Sequence, residues 1–240
     1  MDIIDRVRAV LAGVTDFRRR AGRPYVTLTY AQSLDGSIAA RPGHPLALSC
    51  QESQVMTHAL RASHDAILVG IGTVLADNPR LTVRLVEGKN PQPVIVDSRL
   101  RCPPYAHLLR PNCTRPWIAT SHQAEPERQA ALEELGAHVF RLPTGYHSMI
   151  NLSDLLAYLA DKGINTLMVE GGAQIIANFL ASRLVDQIIV TIAPVVVGGL
   201  RVVDNLSLFQ SNNFPRLGHL FYQQVGGDLV VRGEPTWPAS

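Results

Sequence analysis

From Tyr25 onward, short apolar segments alternate with segments of helical periodicity, and this alternation constrains the fold more than any other feature of the chain. Strands that alternate with helices are typical of βαβ units, whose parallel sheet is covered by helices on both faces. The alternation therefore predicts an α/β fold with a mostly parallel central sheet. The expected strands cover residues 26–30, 66–70, 93–97, 117–120, 138–140, 165–170, 187–192 and 228–232, and the expected helices cover 51–63, 125–136, 153–163 and a segment after Gly172.

The first 22 residues precede this alternation. Apolar residues recur there at helical spacing, residues 18–20 are all arginine, and Gly22 follows as a helix stop signal. They predict an N-terminal accessory helix over residues 1–22 that covers the core or a partner subunit. Residues 23–240 are then expected to form a single domain, which is an ordinary size for one α/β unit.

The composition excludes several function classes. Of the 240 residues 46% are hydrophobic and 18% are charged, and the net charge of +2 comes without a Lys/Arg cluster interleaved with aromatic residues, so nucleic acid is not an expected partner. The most apolar window, residues 188–200, contains Pro194 and is too short to span a bilayer. These features predict a cytoplasmic protein without a membrane partner.

Cysteine usage points to the same compartment. Cys50, Cys102 and Cys113 are odd in number and lack any Cys-x-x-Cys spacing. Neither a disulfide framework nor a zinc site is indicated by that pattern. Free thiols in a reducing compartment, with no bound metal, are the expectation.

Two glycine-containing segments carry the main indication of function. Gly70 and Gly72 end a predicted strand and are followed by Thr73, Asp77 and, within the next residues, two arginines. Glycine lets backbone amides approach a ligand closely, and hydroxyl and guanidinium groups bind phosphate. The segment predicts the floor of a nucleotide and sugar-phosphate site.

The second glycine-containing segment runs from Val169 to Gln174. Gly171 and Gly172 lie between a predicted buried strand and a helix, so the first amides of that helix are free to bind phosphate. Glu170 lies at the carboxyl end of the strand. A plain strand-to-helix turn explains the two glycines equally well, but it does not explain the carboxylate at that point.

Other polar residues have a structural interpretation beside a functional one. Asp35 follows the first strand, where the carboxyl ends of strands form a ligand crevice, yet Asp-Gly is also a common turn. Arg61 and Arg84 can clamp a phosphate or lie at a solvated surface. His58 and His64 are interpreted as surface residues of a helix.

Motifs of several enzyme classes are missing. Leu75 stands where the third glycine of a dinucleotide fingerprint would follow Gly70 and Gly72, so a standard Rossmann domain is disfavoured. The chain also lacks Gly-x-Ser-x-Gly, a P-loop and His-Glu-x-x-His. The sequence therefore contains no motif that indicates hydrolase, kinase or metalloprotease activity.

Taken together and in order, the motifs resemble those of the pyrimidine reductases of riboflavin biosynthesis, whose fold is like that of dihydrofolate reductase. The resemblance extends from about Arg23 to Gly233, and its motifs lie at residues 27–39, 60–84, 96–99, 169–172 and 192–199. It implies NADPH-dependent reduction of a ribosylaminopyrimidine 5′-phosphate to its ribitylamino form. The hydride would go from the nicotinamide to C1′ of an opened, imine-like ribose. NADH stays open as the cofactor, with Arg99 and Arg101 as the basic residues available to a 2′-phosphate.

The same resemblance implies roles for individual residues. The residues predicted to contact the cofactor are Gln32, Ala47, Gly70, Gly72, Thr73, Asp77, Ser98, Gly171 and Gly172. The residues predicted to contact the substrate are Asp35, Arg61, Leu81, Arg84 and Glu170, with the arginines nearest its phosphate. Asp77 and Glu170 are the candidate catalytic residues, for ring opening or for supplying the proton.

The chain also departs from the family pattern. Bifunctional bacterial relatives carry a zinc deaminase marked by His-x-Glu and Pro-Cys-x-x-Cys, and this sequence contains neither motif. It resembles the stand-alone reductase, and residues 27–35 are closest to the fungal and archaeal form that reduces before deamination. Pro45 and Ala47 replace a serine and a tryptophan common in bifunctional relatives, so the 2,5-diamino and the deaminated 5-amino substrates both stay open.

Two other functions are kept as alternatives. A reductase of a pterin or folate with the same fold would need a deep apolar slot and would have little use for Arg61 and Arg84. A non-catalytic nucleotide-binding protein would not need Arg84 together with Glu170. The family forms homodimers, and residues 184–197 are predicted either to form the subunit contact or to be a buried strand.

Overall fold

The structure is a computed structural model, and it describes residues 1–41, 43–111, 113–145, 149–202 and 215–237. The helices are α1 (Ile3–Leu11), α2 (Val14–Ala21), α3 (Gln51–Ala62), α4 (Ile71–Asp77), α5 (Pro126–Glu134), α6 (Leu152–Asp161) and α7 (Ala173–Ala181), with a 3₁₀ turn at His107–Leu109. The strands are β1 (Tyr25–Ser33), β2 (Ser37–Arg41), β3 (His44–Pro45), β4 (Ala66–Gly70), β5 (Gln92–Val96), β6 (Trp117–Ser121), β7 (His138–Leu142), β8 (Thr166–Glu170), β9 (Gln187–Ala193), β10 (Leu200–Arg201), β11 (Arg216–Val225) and β12 (Asp228–Thr236).

The main sheet confirms the predicted α/β architecture. Within the described residues it has nine strands in the order β11-β12-β9-β1-β8-β4-β5-β6-β7. All neighbours from β9 to β7 are parallel, whereas β12 pairs antiparallel with both β9 and β11. A smaller sheet joins β10, β2 and β3. The strand β8 enters between β1 and β4, so the chain returns to the centre of the sheet late in the sequence.

Helices cover both faces of this sheet, as the alternation predicted. Along β4, Ala66 and Leu68 pack in one core with α6 and α7, while Ile67 and Val69 pack in a second core with α4 and α5. A third core joins α1 and α3 to β8, β9 and β12. Because successive residues of a strand point to opposite faces, burial on both sides explains why the central strands are almost entirely apolar.

The N-terminal segment differs from the predicted single helix over residues 1–22. It forms two helices, because Gly13 interrupts the first and precedes the second, and glycine is a poor residue inside a helix. Gly22 ends α2 in the left-handed conformation, with φ of 66°. Ile3 and Val7 of α1 are buried in the third core, so this helix does cover part of the sheet.

Several elements were missed from the sequence. The strands β2, β3, β10 and β11 were not predicted, and neither was the short helix α4 that follows Gly70. The apolar run that includes β9 lies between β1 and β12, which matches the buried-strand interpretation. Within the described part of the chain, no helix is both long and apolar enough to cross a membrane. Cys50, Cys102 and Cys113 are free thiols.

Candidate active site

A cavity of about 690 Å³ opens at the carboxyl ends of the central parallel strands. Its walls include residues from β1, β4, β5 and β8 and from the helices α4 and α7. Ligands of open α/β sheets bind at this edge, where connections leave the sheet in different directions. Nine of the predicted site residues line the cavity: Gly70, Gly72, Thr73, Asp77, Leu81, Ser98, Glu170, Gly171 and Gly172.

The junction between β8 and α7 forms one end of this cavity. Gly171 and Gly172 have φ of 83° and 80°, a region that side chains other than glycine rarely adopt. Gly172 offers no side-chain acceptor to the start of α7, and Ala173, Gln174 and Ile175 of the first turn line the cavity. The first amides of α7 therefore have no side-chain cap from Gly172, and the anion binding expected of them stays a prediction.

At the junction between β4 and α4, the need for glycine has a different explanation. A Cβ atom on Gly70 would lie 2.6 Å from Cγ1 of Ile175, so glycine is needed here for the packing of β4 against α7. Gly72 has no neighbour within 4 Å of such an atom. Thr73 and Asp77 lie one turn apart on α4 and both face the cavity. The helix therefore presents a hydroxyl and a carboxyl group side by side.

Asp77 is followed by a rigidly held turn. Loss of hydration in the cavity wall raises the pKa of Asp77 above the usual value of an aspartate. The next residue, Asn78, is left-handed with φ of 43° and accepts a hydrogen bond of 2.8 Å at Oδ1 from the backbone N–H of His107. The His107 ring nitrogen Nδ1 lies 2.7 Å from the Asn78 carbonyl. Sequence reasoning did not identify His107, since nothing local relates it to the site.

Glu170 forms a two-point ion pair with Arg61. The Arg61 Nε atom donates to Glu170 Oε2 at 2.8 Å, and Nη2 donates a second, short hydrogen bond to Oε1. The side chains are only 11% and 24% exposed, so water screens the pair weakly. Burial alone would lower the pKa of Arg61, but the charge and hydrogen bonds of Glu170 raise it above its usual value. Arg61 also donates to the carbonyl of Thr82 at 3.1 Å.

Arg84 lies beside this pair, and a histidine holds its backbone. The Arg84 N–H donates to Nδ1 of His58 at 2.8 Å, so His58 accepts there as a neutral ring. Burial and the charges of Arg61 and Arg84 lower the pKa of His58 to about 4. Partial loss of hydration and the neighbouring guanidinium groups of Arg61 and Arg80 also lower the pKa of Arg84. This concentration of positive charge favours an anionic ligand.

The sequence-based placement of the two histidines at the surface was wrong. His58 and His64 are both only 5% exposed. His64 lies beyond the end of α3, with its ring nitrogens 2.7 Å from the carbonyl of Leu60 and 2.7 Å from the hydroxyl of Thr27. Burial lowers the pKa of His64 to about 4. Helical spacing in the sequence cannot reveal Thr27 and Arg84 as partners, because they lie on a distant strand and a distant loop.

Asp35 is occupied by structural hydrogen bonds. Its carboxylate accepts from the hydroxyls of Ser33 (2.6 Å) and Ser37 (2.9 Å) and from the backbone N–H groups of Val197 (2.9 Å) and Gly198 (2.8 Å). These bonds, led by that from Ser33, hold the pKa of Asp35 well below its usual range. The carboxylate ties the turn after β1 to the segment after β9, and its predicted contact with substrate stays a prediction.

Four further predicted site residues also lie outside the wall of the 690 Å³ cavity, as the described residues define it: Gln32, Ala47, Arg61 and Arg84. Gln32 is half-buried on β1 opposite Ile192, and Ala47 is exposed after β3. Of the Pro45 and Ala47 pair, only the Ala47 side chain is described. Arg61 reaches the cavity indirectly, through Glu170, and the predicted contacts of these four residues stay predictions.

A second, polar pocket of about 310 Å³ adjoins the first. Ser98 and Arg101 line both cavities, and the remaining wall of the second consists of Arg99, Ser121, Gln123, Ala124, Glu125 and Arg128. The two basic residues named from the sequence, Arg99 and Arg101, are therefore in one pocket. Arg128 was not identified because it lies on α5, well separated from them in the chain. Within the described residues, no three His, Cys, Asp or Glu side chains cluster as a metal site requires.

Comparison with known proteins gives relatives for this arrangement. The chain is 40% identical over 187 residues to the 2,5-diamino-6-ribosylamino-4(3H)-pyrimidinone 5′-phosphate reductase of Archaeoglobus fulgidus, covering 74% of this chain and 83% of the relative. It is 36% identical over 220 residues to the riboflavin biosynthesis protein RibD of Bacillus amyloliquefaciens, covering 90% of this chain and 58% of the relative. This chain thus spans less than two thirds of RibD.

Solved structures agree with the fold. The riboflavin biosynthesis reductase Rib7 of Saccharomyces cerevisiae has a TM-score of 0.72 at 28% identity, with 90% and 91% of the two chains covered. Dihydrofolate reductase of Enterococcus faecalis, at 13% identity and a TM-score of 0.50, shares the fold alone. These comparisons confirm the fold that the sequence motifs implied. Since residues 24–231 match the model of the RibD C-terminal domain, the chain belongs to the RibD C-terminal domain family.

Proposed function

We propose that the protein is an NADPH-dependent reductase that converts a ribosylaminopyrimidine 5′-phosphate to its ribitylamino form in riboflavin biosynthesis. The observation that carries the proposal is the meeting of Asp77 and Glu170 in one cavity, with Arg61 and Arg84 at its Glu170 end. Relatives that align over most of this chain bear the name of that reductase. Family membership favours this function over the pterin or folate alternative.

The residues present fit a nicotinamide cofactor. The amides at the start of α7 suit a pyrophosphate, and the adjoining pocket with Arg99, Arg101 and Arg128 suits a 2′-phosphate. Because Ser98 and Arg101 belong to both cavities, one extended ligand can occupy the two together. When bound, the cofactor supplies a hydride. The basic pocket is our reason for proposing NADPH over NADH.

The Glu170 end of the cavity suits the sugar phosphate. Arg61 has three of its hydrogen bonds committed to Glu170 and Thr82, so we assign the phosphate contact first to Arg84. Arg84 is exposed, and its backbone is fixed by His58. Arg61 then serves mainly to orient the Glu170 carboxylate toward the ribose.

The reaction requires two proton movements beside the hydride transfer. Opening of the ribose breaks the C1′–O4′ bond, forms the C1′=N bond as the exocyclic nitrogen gives up its N–H proton, and places a proton on O4′. Hydride addition at C1′ then leaves the exocyclic nitrogen to take a proton. We assign proton donation to Asp77, because its raised pKa favours the protonated form. Glu170 accepts both hydrogen bonds from Arg61 and is assigned to orienting the ribose.

The first experiment follows NADPH oxidation at the nicotinamide absorbance with three substrates in parallel. These are the 2,5-diamino and the deaminated 5-amino ribosylaminopyrimidine phosphates, and dihydrofolate. We expect turnover of the 2,5-diamino compound, since the stand-alone relative is named for it. Turnover of the 5-amino compound alone would place the enzyme after deamination, and turnover of dihydrofolate alone would overturn the proposal.

We further propose a cytoplasmic homodimer. Free thiols at Cys50, Cys102 and Cys113 suit a reducing compartment. The strand β9 is already enclosed by β1 and β12, which leaves Val195 and Val196, 42% and 72% exposed, as the apolar part of the predicted contact segment. Light scattering of the full chain tests the dimer. We expect substitution of Val196 by aspartate to weaken it.

A further inference from the structure

Asp97 is a fully buried carboxylate that the proposed reaction does not use. It follows β5, and its side chain is 0% exposed. Its Oδ2 atom accepts a hydrogen bond of 2.8 Å from the N–H of Cys102, whereas Oδ1 has no hydrogen-bond partner within the described part of the chain. Burial raises the pKa of Asp97, and the nearby backbone N–H groups and Arg101 only partly offset this. A buried carboxyl group in this condition is unfavourable and calls for a compensating role.

The residues after Asp97 form a tightly held loop. The Leu100 N–H donates to the carbonyl of Asp97 at 3.2 Å, and Leu100 itself is left-handed with φ of 51°. The hydroxyl of Ser121 donates to the carbonyl of Ser98 at 2.8 Å, and Arg128 donates to the carbonyl of Leu100 at 3.3 Å. The backbone of the loop is thus held by three hydrogen bonds, and the loop carries Ser98 and Arg101, which line both cavities.

Within this loop, the negative charge of Asp97 attracts the Arg101 side chain. The Arg101 Nε atom lies 3.9 Å from Asp97 Oδ1, while the Arg101 side chain is 52% exposed and lines both cavities. An exposed arginine samples many rotamers, and holding one of them removes side-chain entropy before a ligand arrives. With Nε directed to Asp97, the two terminal nitrogens remain for an anion in the second pocket.

We propose that Asp97 is a positioning residue that holds Arg101 toward the second pocket and thereby sets the preference for a cofactor that carries a 2′-phosphate. The proposal rests on the proposed use of NADPH. In this proposal Asp97 contacts neither the cofactor nor the substrate, and it affects cofactor binding only through Arg101.

Calorimetry on the full chain with adenosine 2′,5′-bisphosphate and with AMP tests this without any reaction. The wild type should bind the bisphosphate more tightly than AMP. Asp97→Asn keeps an acceptor for the Cys102 N–H but loses the charge that holds Arg101. We expect its affinity for the bisphosphate to fall about 10-fold, with AMP affinity unchanged within about twofold.

A purely structural role of Asp97 would give a different result. Loosening of the whole loop would weaken both ligands equally and lower the thermal midpoint, and this would overturn the proposal. We expect instead a midpoint no lower than that of the wild type, because a neutral amide replaces a buried carboxylate of the same shape. In an Arg101→Gln background, Asp97→Asn should have no further effect on either ligand, and additive effects would also overturn it.

Arg101→Lys tests the proposal without altering the buried position. A lysine cannot direct one nitrogen to Asp97 and present a fork to the phosphate, so we expect most of the preference for the bisphosphate to be lost. Full retention would contradict the role of Asp97. If the wild type does not discriminate between the ligands, the proposal of NADPH fails and this inference with it. If it does discriminate and Asp97→Asn changes nothing, only the inference fails.

Discussion

At the start of α7, the α7 end of the site, main-chain groups line the cavity, whereas at the adjoining α3 end Glu170 lines the cavity and the charged side chains of Arg61 and Arg84 lie outside its wall. Gly171 and Gly172 shape the first end through backbone conformation. Glu170, Arg61 and Arg84 shape the second through an ion pair and an excess of positive charge. Substitutions at the two ends should therefore have different effects on the protein. Changes at the first should act through strain and be modest, and changes at the second should leave charges without partners and be large.

The largest effect is expected at Asp77, which lies on α4 and lines the same cavity. Asp77→Asn should lower kcat about 10²-fold or more, because it removes the proposed proton donor. The acid must be protonated to act, so the wild-type rate should fall as pH rises through the raised pKa of Asp77, and the variant should lose this dependence. A pH profile of kcat measures both. Retention of most of the activity would show that another group supplies the proton.

The next effect concerns the ion pair at the α3 end. Arg61→Leu leaves Glu170 without its counter-charge in a poorly hydrated position, and we expect a loss of about 3 kcal/mol in the free energy of unfolding. The double variant with Glu170→Leu should regain most of that stability and remain inactive. Urea unfolding and NADPH oxidation separate the two outcomes. Equal stability of the single and double variants would mean that the unpaired charge of Glu170 is not what destabilises the single variant.

Arg84→Ala tests whether the α3 end binds the substrate and the α7 end binds the cofactor. It should raise the KM for the sugar-phosphate substrate about 10-fold through loss of one charge-assisted contact, with the KM for NADPH unchanged. Arg110→Ala is the matched control, because Arg110 is also an exposed arginine but lines neither cavity. Steady-state kinetics with each substrate varied in turn provide the measurement. Equal losses for substrate and cofactor would remove the proposed separation.

The smallest effect is expected at the main-chain end. Gly172→Ala and Gly163→Ala both place a side chain at positive φ, 80° and 87°, and each should lower stability by about 1 kcal/mol. A Cβ on Gly172 would lie 3.1 Å from the Thr73 hydroxyl, whereas one on Gly163 would have no neighbour within 4 Å. Only Gly172→Ala should therefore weaken NADPH binding, as measured by fluorescence titration. Equal binding by both variants would argue against a cofactor at this junction.

The same difference between the two ends explains what could be predicted from the sequence. Gly171, Gly172 and Glu170 were recognisable because a strand, a glycine pair and a helix follow one another in the chain. The partners of Arg61 and Arg84 were not, since Arg61 lies 109 residues from Glu170 and His58 meets Arg84 only through a folded loop. Asp35 illustrates the limit from the other side: its motif was recognisable, but two of its hydrogen-bond donors come from the segment after β9.

Local patterns also located the parallel strands better than the others. β4, β5 and β8 are short apolar runs that any buried strand would show, and they were placed within one or two residues. The edge strand β11 is mostly exposed or half-buried, with no apolar periodicity to mark it. The division of the N-terminal segment depended on Gly13, whose effect on a helix is small enough for tertiary packing to decide.

The central position of β8 has a consequence for the order of assembly. The strands β1 and β4 are synthesised early, yet they pair with β8 on either side and not with each other. The middle of the sheet therefore stays open until about residue 170 has left the ribosome, and Arg61 has no counter-charge from Glu170 until then. We expect nascent chains that stop before β8 to depend on chaperones, and recovery of activity in refolding to coincide with closure of the sheet.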